Sequence, residues 1–213
     1  MGSLMEIERE LAGLGDTAKL GSELAAVLRA GDVVLLDGPL GAGKTTLVRS
    51  IVESFGGDAV SSPTFVVVNE YETEPVVMHV DAYRLDGGDD EELALLGWDR
   101  VVSDETVALI EWGERIADLI EGEAATIGLE HAGETERRVT IRLPESWGER
   151  AGIGVLLGRT ETTCRVTGVR VSPDNPHWPF ADERAKLADL HRWFSENYTI
   201  SRPMTEADLE QGE

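Results

Sequence analysis

Hydrophobic and polar positions change their period several times along this chain, and each change marks an element. From 16 to 29, Leu20, Leu24, Val27 and Leu28 recur at helical spacing, with Asp16 and Thr17 placed to cap the start. Val33-Val34-Leu35-Leu36 is instead a continuous apolar run, as expected of a strand covered on both faces. A glycine-rich break follows, and then Leu47, Val48, Ile51, Val52 and Phe55 return to helical spacing until Gly56-Gly57. Further strands are predicted over Phe65–Tyr71, Val76–Val80 and Thr106–Ile110, and a short helix over Glu114–Leu119. Two alternating segments, 125–129 and 138–143, flank polar residues 131–136 and predict a hairpin that extends the sheet.

Strands alternating with helices over residues 1–143 predict an α/β three-layer sandwich around a predominantly parallel central sheet. Pro144 to Gly152 breaks the regular pattern, so the first domain is placed at 1–143 and a small C-terminal extension at 144–213. Within the extension, 153–157 and 164–169 read as short strands. Residues 182–198 read as an amphipathic helix with Leu187, Leu190, Trp193, Phe194 and Tyr198 on one face.

Composition narrows the class. Hydrophobic residues make up 41% of the 213 positions and charged residues 28%, which is globular rather than disordered. No apolar run approaches the length of a membrane span, so a soluble, cytoplasmic protein is expected. The single cysteine, Cys164, forms no internal disulfide, and His79, His131, His177 and His191 lack paired metal-ligand spacing, which argues against zinc chemistry. With 41 acidic and 19 basic residues the formal charge is −22, which opposes nonspecific attachment to a nucleic-acid backbone.

Against that acidity, one basic residue stands in a distinctive setting. Gly38-Pro39-Leu40-Gly41-Ala42-Gly43-Lys44-Thr45-Thr46 fits a glycine, four residues, then Gly-Lys-Thr, directly between a strand signal and a helix signal. Such a loop wraps successive N–H groups around phosphates, and the helix N-terminus adds partial positive charge. Lys44 then supplies a cation at the β and γ phosphates, and the Thr45 hydroxyl one position on magnesium. Residues near Thr17 lie close enough along the chain to meet the base of the nucleotide. Two later apolar runs end in acids, Asp81 and Glu111, which predicts both at the crevice beyond the strands' carboxyl ends. Asp81 has two readings, a metal-site carboxylate or a cap for the following turn. Asp81 and Glu111 divide between them the tasks of holding magnesium and orienting water, and spacing does not assign which does which. Trp112 reads as a flat wall beside the site or as core packing, and Ser62-Pro63 presents Thr64 from an extended loop.

Four landmarks in order, Gly38–Thr46, Ser62-Pro63-Thr64-Phe65, His79-Val80-Asp81-Ala82-Tyr83-Arg84 and Ile110-Glu111-Trp112, resemble the bacterial TsaE family over about residues 10–143. The resemblance implies a P-loop nucleotide hydrolase-like fold that binds ATP and Mg2+ and works with the TsaD and TsaB proteins in threonylcarbamoyladenosine modification of tRNA. The tRNA contact is then indirect, through the partners. It further implies Lys44, Asp81 and Glu111 as catalytic residues and Thr45, Asp81, Thr64 and Glu111 around the metal. Nucleotide contacts fall to Thr17, Gly38, Leu40, Gly41, Ala42, Gly43, Lys44, Thr45, Thr46 and Trp112. Pro39 departs from the acidic residue the family often has before leucine. The alternatives are a small-molecule kinase and a nucleotide-gated binding module that does not hydrolyse.

Overall fold

A computed structural model describes residues 4–58, 68–85 and 96–197. The chain divides into two compact units, Met1–Leu157 and Gly158–Glu213.

The first unit is built on a seven-stranded sheet in the order β1-β7-β6-β2-β5-β4-β3. Its strands are β1 (Leu4–Leu11), β2 (Val33–Asp37), β3 (Val68–Tyr71), β4 (Val76–Asp81), β5 (Thr106–Glu111), β6 (Ala125–His131) and β7 (Arg137–Pro144). The four central strands, β6, β2, β5 and β4, run parallel. The pairings β1–β7, β6–β7 and β3–β4 are antiparallel. The sheet is therefore mixed, which corrects the predominantly parallel sheet expected from the sequence. A short connection such as that between β6 and β7 can only join antiparallel strands. The other contribution is β1, a strand absent from the sequence-based expectation. Its signal is nonetheless present: Met5, Ile7, Arg9 and Leu11 face inward in turn with exposed Glu6, Glu8 and Glu10 between them. Glu6 and Arg142 pair across the β1–β7 ladder at 2.6 Å.

Helices α1 (Leu14–Ala25) and α2 (Lys44–Ser54) cover one face. They approach closely because position 21 is glycine, where a Cβ would lie 2.4 Å from that of Ser50. Leu20, Leu24, Leu47, Val48 and Ile51 pack there on Leu36, Leu109 and Ile127 of the sheet. The opposite face buries Leu35, Met78, Val80 and Ile110 against Leu85, Val101 and Ile116. These come from a short helix α3 (Trp98–Val101) and from turns, so the second outer layer is thin among the described residues. The helix expected over 114–119 is two 3-10 turns, Gly113–Arg115 and Ala117–Leu119.

Residues 153–157, expected as a strand, instead hold helix α4 (Ile153–Leu156), entered through left-handed Gly152 at φ 86°. An apolar run that short has no period to separate the two states. Trp147, Ile153 and Leu156 join the α1 side of the core.

The second unit contains a two-stranded ribbon, β8 (Thr162–Thr163) and β9 (Arg170–Val171), and helix α5 (Glu183–Asn197). The strand expected over 164–169 is the turn of this ribbon, closed by Cys164 N–H to Val169 O at 2.8 Å and Gly168 N–H to Cys164 O at 2.8 Å. Its core gathers Cys164, Val171 and Ala185 with Val166, Trp178 and Phe180. On α5, Leu187, Leu190, Trp193 and Phe194 are exposed.

Among the described residues, no helix is long and apolar enough to cross a membrane.

Candidate active site

The site forms where β2, β4 and β5 end. After Asp37 the chain turns through Gly38, whose φ of 135° and close approach to β6 exclude any side chain: a Cβ would meet Leu129 O at 2.1 Å. Gly41 and Gly43 are also left-handed, at φ 75° and 107°, and carry the loop around to the first turn of α2. No side chain caps α2 at Gly43, so its leading N–H groups have no side-chain acceptor, the arrangement that suits a phosphate.

Lys44 opens α2 and is buried. Its Nζ donates to Gly38 O at 2.6 Å and Pro39 O at 3.2 Å, and lies 3.8 Å from the centre of the Trp112 ring. Burial lowers its pKa, against the opposing pull of Glu111, Glu114, Asp81 and Asp37. The cation is thus already held at the loop, on carbonyls that a more strongly accepting anion can replace.

Asp81 and Glu111 are register partners at the ends of parallel β4 and β5. Thr45 Oγ1 donates to Glu111 Oε1 at 2.7 Å, joining the loop's hydroxyl to the β5 acid. Asp81 Oδ1 accepts the Tyr83 N–H at 3.0 Å and so caps the following turn, while no hydrogen bond to Oδ2 occurs among the described residues. Of the two readings for Asp81, the cap is present, and it leaves one oxygen for other work. Trp112 is the only non-glycine with positive φ among the described residues, at 59°, and its N–H bonds Leu36 O at 2.8 Å. That turn lays its indole over Lys44 and 5.0 Å from the Tyr83 ring centre.

Thr17 lies on the other side of the loop. With Leu14, Ala42, Thr46, Thr135 and Arg137 it lines a cavity of about 350 Å³ that continues from Gly41 and Gly43. The structure therefore brings Gly38, Gly41, Ala42, Gly43, Lys44, Thr45 and Thr46 into one loop, faced by Asp81, Glu111 and Trp112, with Thr17 beside it. Leu40 projects from the loop tip, 87% exposed. Thr64 lies outside the described residues.

Other residues of the site are given no role by the sequence. Arg137 on β7 donates to Ala42 O at 3.0 Å and Gly41 O at 3.3 Å, bracing the loop from across the sheet, and nothing local signals it. Asp37 accepts the Glu114 N–H at 2.9 Å. Burial, reinforced by hydrogen bonding with the Glu114 carboxyl, raises the Asp37 pKa to about 6. His79 is the one with a legible signal: a polar residue inside the apolar run of β4, fully buried, with Nε2 2.9 Å from Glu111 Oε1.

Comparison with known proteins agrees with this geometry. The family described as "Threonylcarbamoyl adenosine biosynthesis protein TsaE" matches residues 11–139. The tRNA threonylcarbamoyladenosine biosynthesis protein TsaE of Streptomyces coelicolor is 43% identical over 149 residues, covering 66% of this chain and 99% of the relative. The protein of that name from Mycobacterium bovis is 37% identical over 142 residues, covering 62% and 82% respectively. The crystal structure of Bacillus subtilis YdiB superposes with a TM-score of 0.53 at 24% identity, over 68% of this chain and 89% of that one, which supports the shared fold. Residues 163–211 match a different family, described as "DNA gyrase inhibitor YacG". A match across more than half the chain, with the Streptomyces relative spanned nearly end to end, establishes that this chain belongs to the TsaE family.

Proposed function

We propose that this protein is a magnesium-dependent ATPase that serves threonylcarbamoyladenosine modification of tRNA in the cytoplasm, acting with TsaD and TsaB. The observation that carries the proposal is the 2.7 Å bond from Thr45 Oγ1 to Glu111 Oε1, which joins the phosphate loop to a strand-end acid. The donor set fits magnesium: the Thr45 hydroxyl and the Asp81 carboxylate are hard oxygens, with Glu111 beside them for the water. No group of three or more His, Cys, Asp or Glu able to hold a metal occurs among the described residues. Such a partial set suits an ion that keeps waters and takes its remaining oxygens from the nucleotide. Magnesium, when bound, supplies charge neutralisation on the phosphate oxygens.

The chain's own residues do the rest. Loop N–H groups and the α2 N-terminus bind the phosphates, and Lys44 exchanges its two carbonyl partners for phosphate oxygens, staying put as charge develops there. Glu111, anchored through Oε1, uses its other oxygen to orient and deprotonate water. The cavity beside Thr17 receives the base, with Arg137 holding the loop that forms its wall. Thr64 is proposed to close on the γ-phosphate. The ATPase domain, expected over 1–143, is proposed to extend to Leu157, the end of the first compact unit. At a formal charge of −22, the chain meets tRNA through its partners.

The test is ATP turnover by the full chain with and without TsaD and TsaB, in magnesium and in EDTA. Magnesium-dependent phosphate release stimulated by the pair is expected. Stable ATP binding without stimulated release, despite complex formation, would instead make the protein a nucleotide-gated binding module.

For residues 158–213 we propose a protein-docking module akin to the gyrase-inhibitor family, because α5 presents Leu187, Leu190, Trp193 and Phe194 to solvent. Inhibition of DNA gyrase supercoiling by the full chain, lost in Trp193→Glu, is the expected result.

A further inference from the structure

We propose that His79 is a positioning residue for ATP hydrolysis, fixing Glu111 and through it the direction of the Thr45 hydroxyl; this rests on the ATPase reading above. Glu111 is buried and His79 more so, 4% and 0% exposed. A carboxylate removed from water to that degree needs donors. Two donors reach it, and they converge on the same oxygen: Thr45 Oγ1 at 2.7 Å and His79 Nε2 at 2.9 Å from Oε1. No hydrogen bond to Oε2 occurs among the described residues, so the side chain is clamped by one oxygen and free at the other. The His79 imidazole is set by β4, where it pairs in register with Leu109 of β5 on one side and Asn69 of β3 on the other, and by stacking with Tyr71 at 6.4 Å.

Since Oε1 accepts, Nε2 carries the proton. The other ring nitrogen, Nδ1, is buried without a partner. Nδ1 adds no contact among the described residues, so the ring's one hydrogen bond there is Nε2–H to Glu111 Oε1. A threonine hydroxyl has one proton and two lone pairs. With the proton held on Glu111, both lone pairs of Thr45 turn away from the carboxylate, toward the loop where magnesium is required. His79 thus reaches the metal position through two hydrogen bonds without touching it.

His79→Phe keeps the ring volume and deletes the donor. Its expected effects are a turnover lower by about 10- to 100-fold and a higher magnesium concentration for half-maximal rate. ATP affinity in EDTA should change less than about threefold, because the loop and Lys44 hold the phosphates. His79→Gln returns an N–H near the Nε2 position and should recover most of the rate. Nitrogen NMR of the nucleotide-free full chain should report the Nε2–H tautomer, a readout independent of ATP and of either variant's folding. An Nδ1–H tautomer, wild-type turnover and magnesium requirement in His79→Phe, or a folded His79→Gln as slow as His79→Phe would each overturn the proposal. Failure of the ATPase reading is distinct, since it would appear as absent turnover in the wild-type protein.

Discussion

A side chain at Gly38 would have to occupy space already taken by Leu129 O, on a backbone where φ is 135°. Gly38→Ala is therefore expected to cost about 3 kcal/mol or more, from strain and from displacement of β6, and denaturant unfolding will measure it. The loop's other side chains act on ligand rather than on fold. Lys44→Ala should weaken nucleotide binding and abolish hydrolysis, whereas Glu111→Ala should bind nucleotide but turn over at least about 100-fold more slowly. Nucleotide titration with phosphate release separates the two, and equal loss of binding in a folded Glu111→Ala protein would remove Glu111 from its hydrolytic role. These residues were legible because the loop is contiguous in sequence and each acid ends an apolar run. His79, Asp37 and Arg137 act across strands on residues 32, 77 and 95 positions away, and that adjacency exists only once the sheet is assembled.

Elements were readable where periodicity was long and unreadable where tertiary packing decides. Both long helices of the first unit and all the central strands announce themselves, because their apolar residues repeat over whole turns, form continuous runs or, in β6, alternate. At 153–156 four residues adopt a helix that their apolar run does not distinguish from a strand. The junction between β2 and the turn after β5 depends on Asp37, which links them through Glu114 N–H. Its native pKa, about 6 against an ordinary 3.8, means the folded protein holds a proton that the unfolded chain releases between those values. Stability should accordingly fall as pH rises from near 4 to near 6 and then level off. Asp37→Asn keeps an acceptor for Glu114 and removes the charge. It should gain about 1 kcal/mol above pH 6, after allowance for solvent screening, and nothing near pH 4. Thermal melts of both proteins at the two pH extremes will show it; an advantage unchanged by pH would argue against the Asp37 proton.

For the molecule as a whole, the segment after β7 decides what counts as the ATPase unit. Regular patterning stops at Pro144, yet the compact unit runs to Leu157, because residues 145–156 form a 3-10 turn and the short helix α4, whose apolar side chains are buried by contact rather than by period. Arg150 lies over the Trp147 ring and donates twice to Asp32, at 2.5 and 2.9 Å, while Arg29 N–H donates to the same carboxylate at 2.7 Å. Asp32 leads into β2, the strand that delivers the phosphate loop, and is buried. Removing Arg150 leaves that carboxylate without its cation, a loss of about 3–5 kcal/mol for a buried pair. Cutting the chain before it also uncovers the α1 side of the core where Trp147, Ile153 and Leu156 sit, so the total approaches the whole stability of a small domain. A fragment ending at Leu157 should fold cooperatively and keep the intrinsic turnover of the full chain within about twofold, whereas one ending at Leu143 should not melt cooperatively at all. Circular dichroism melts and phosphate release on the two fragments decide it. A fragment ending at Leu143 that melts like its longer counterpart would make residues 144–157 an accessory to the fold, and an inactive but folded fragment ending at Leu157 would show that turnover draws on the C-terminal unit.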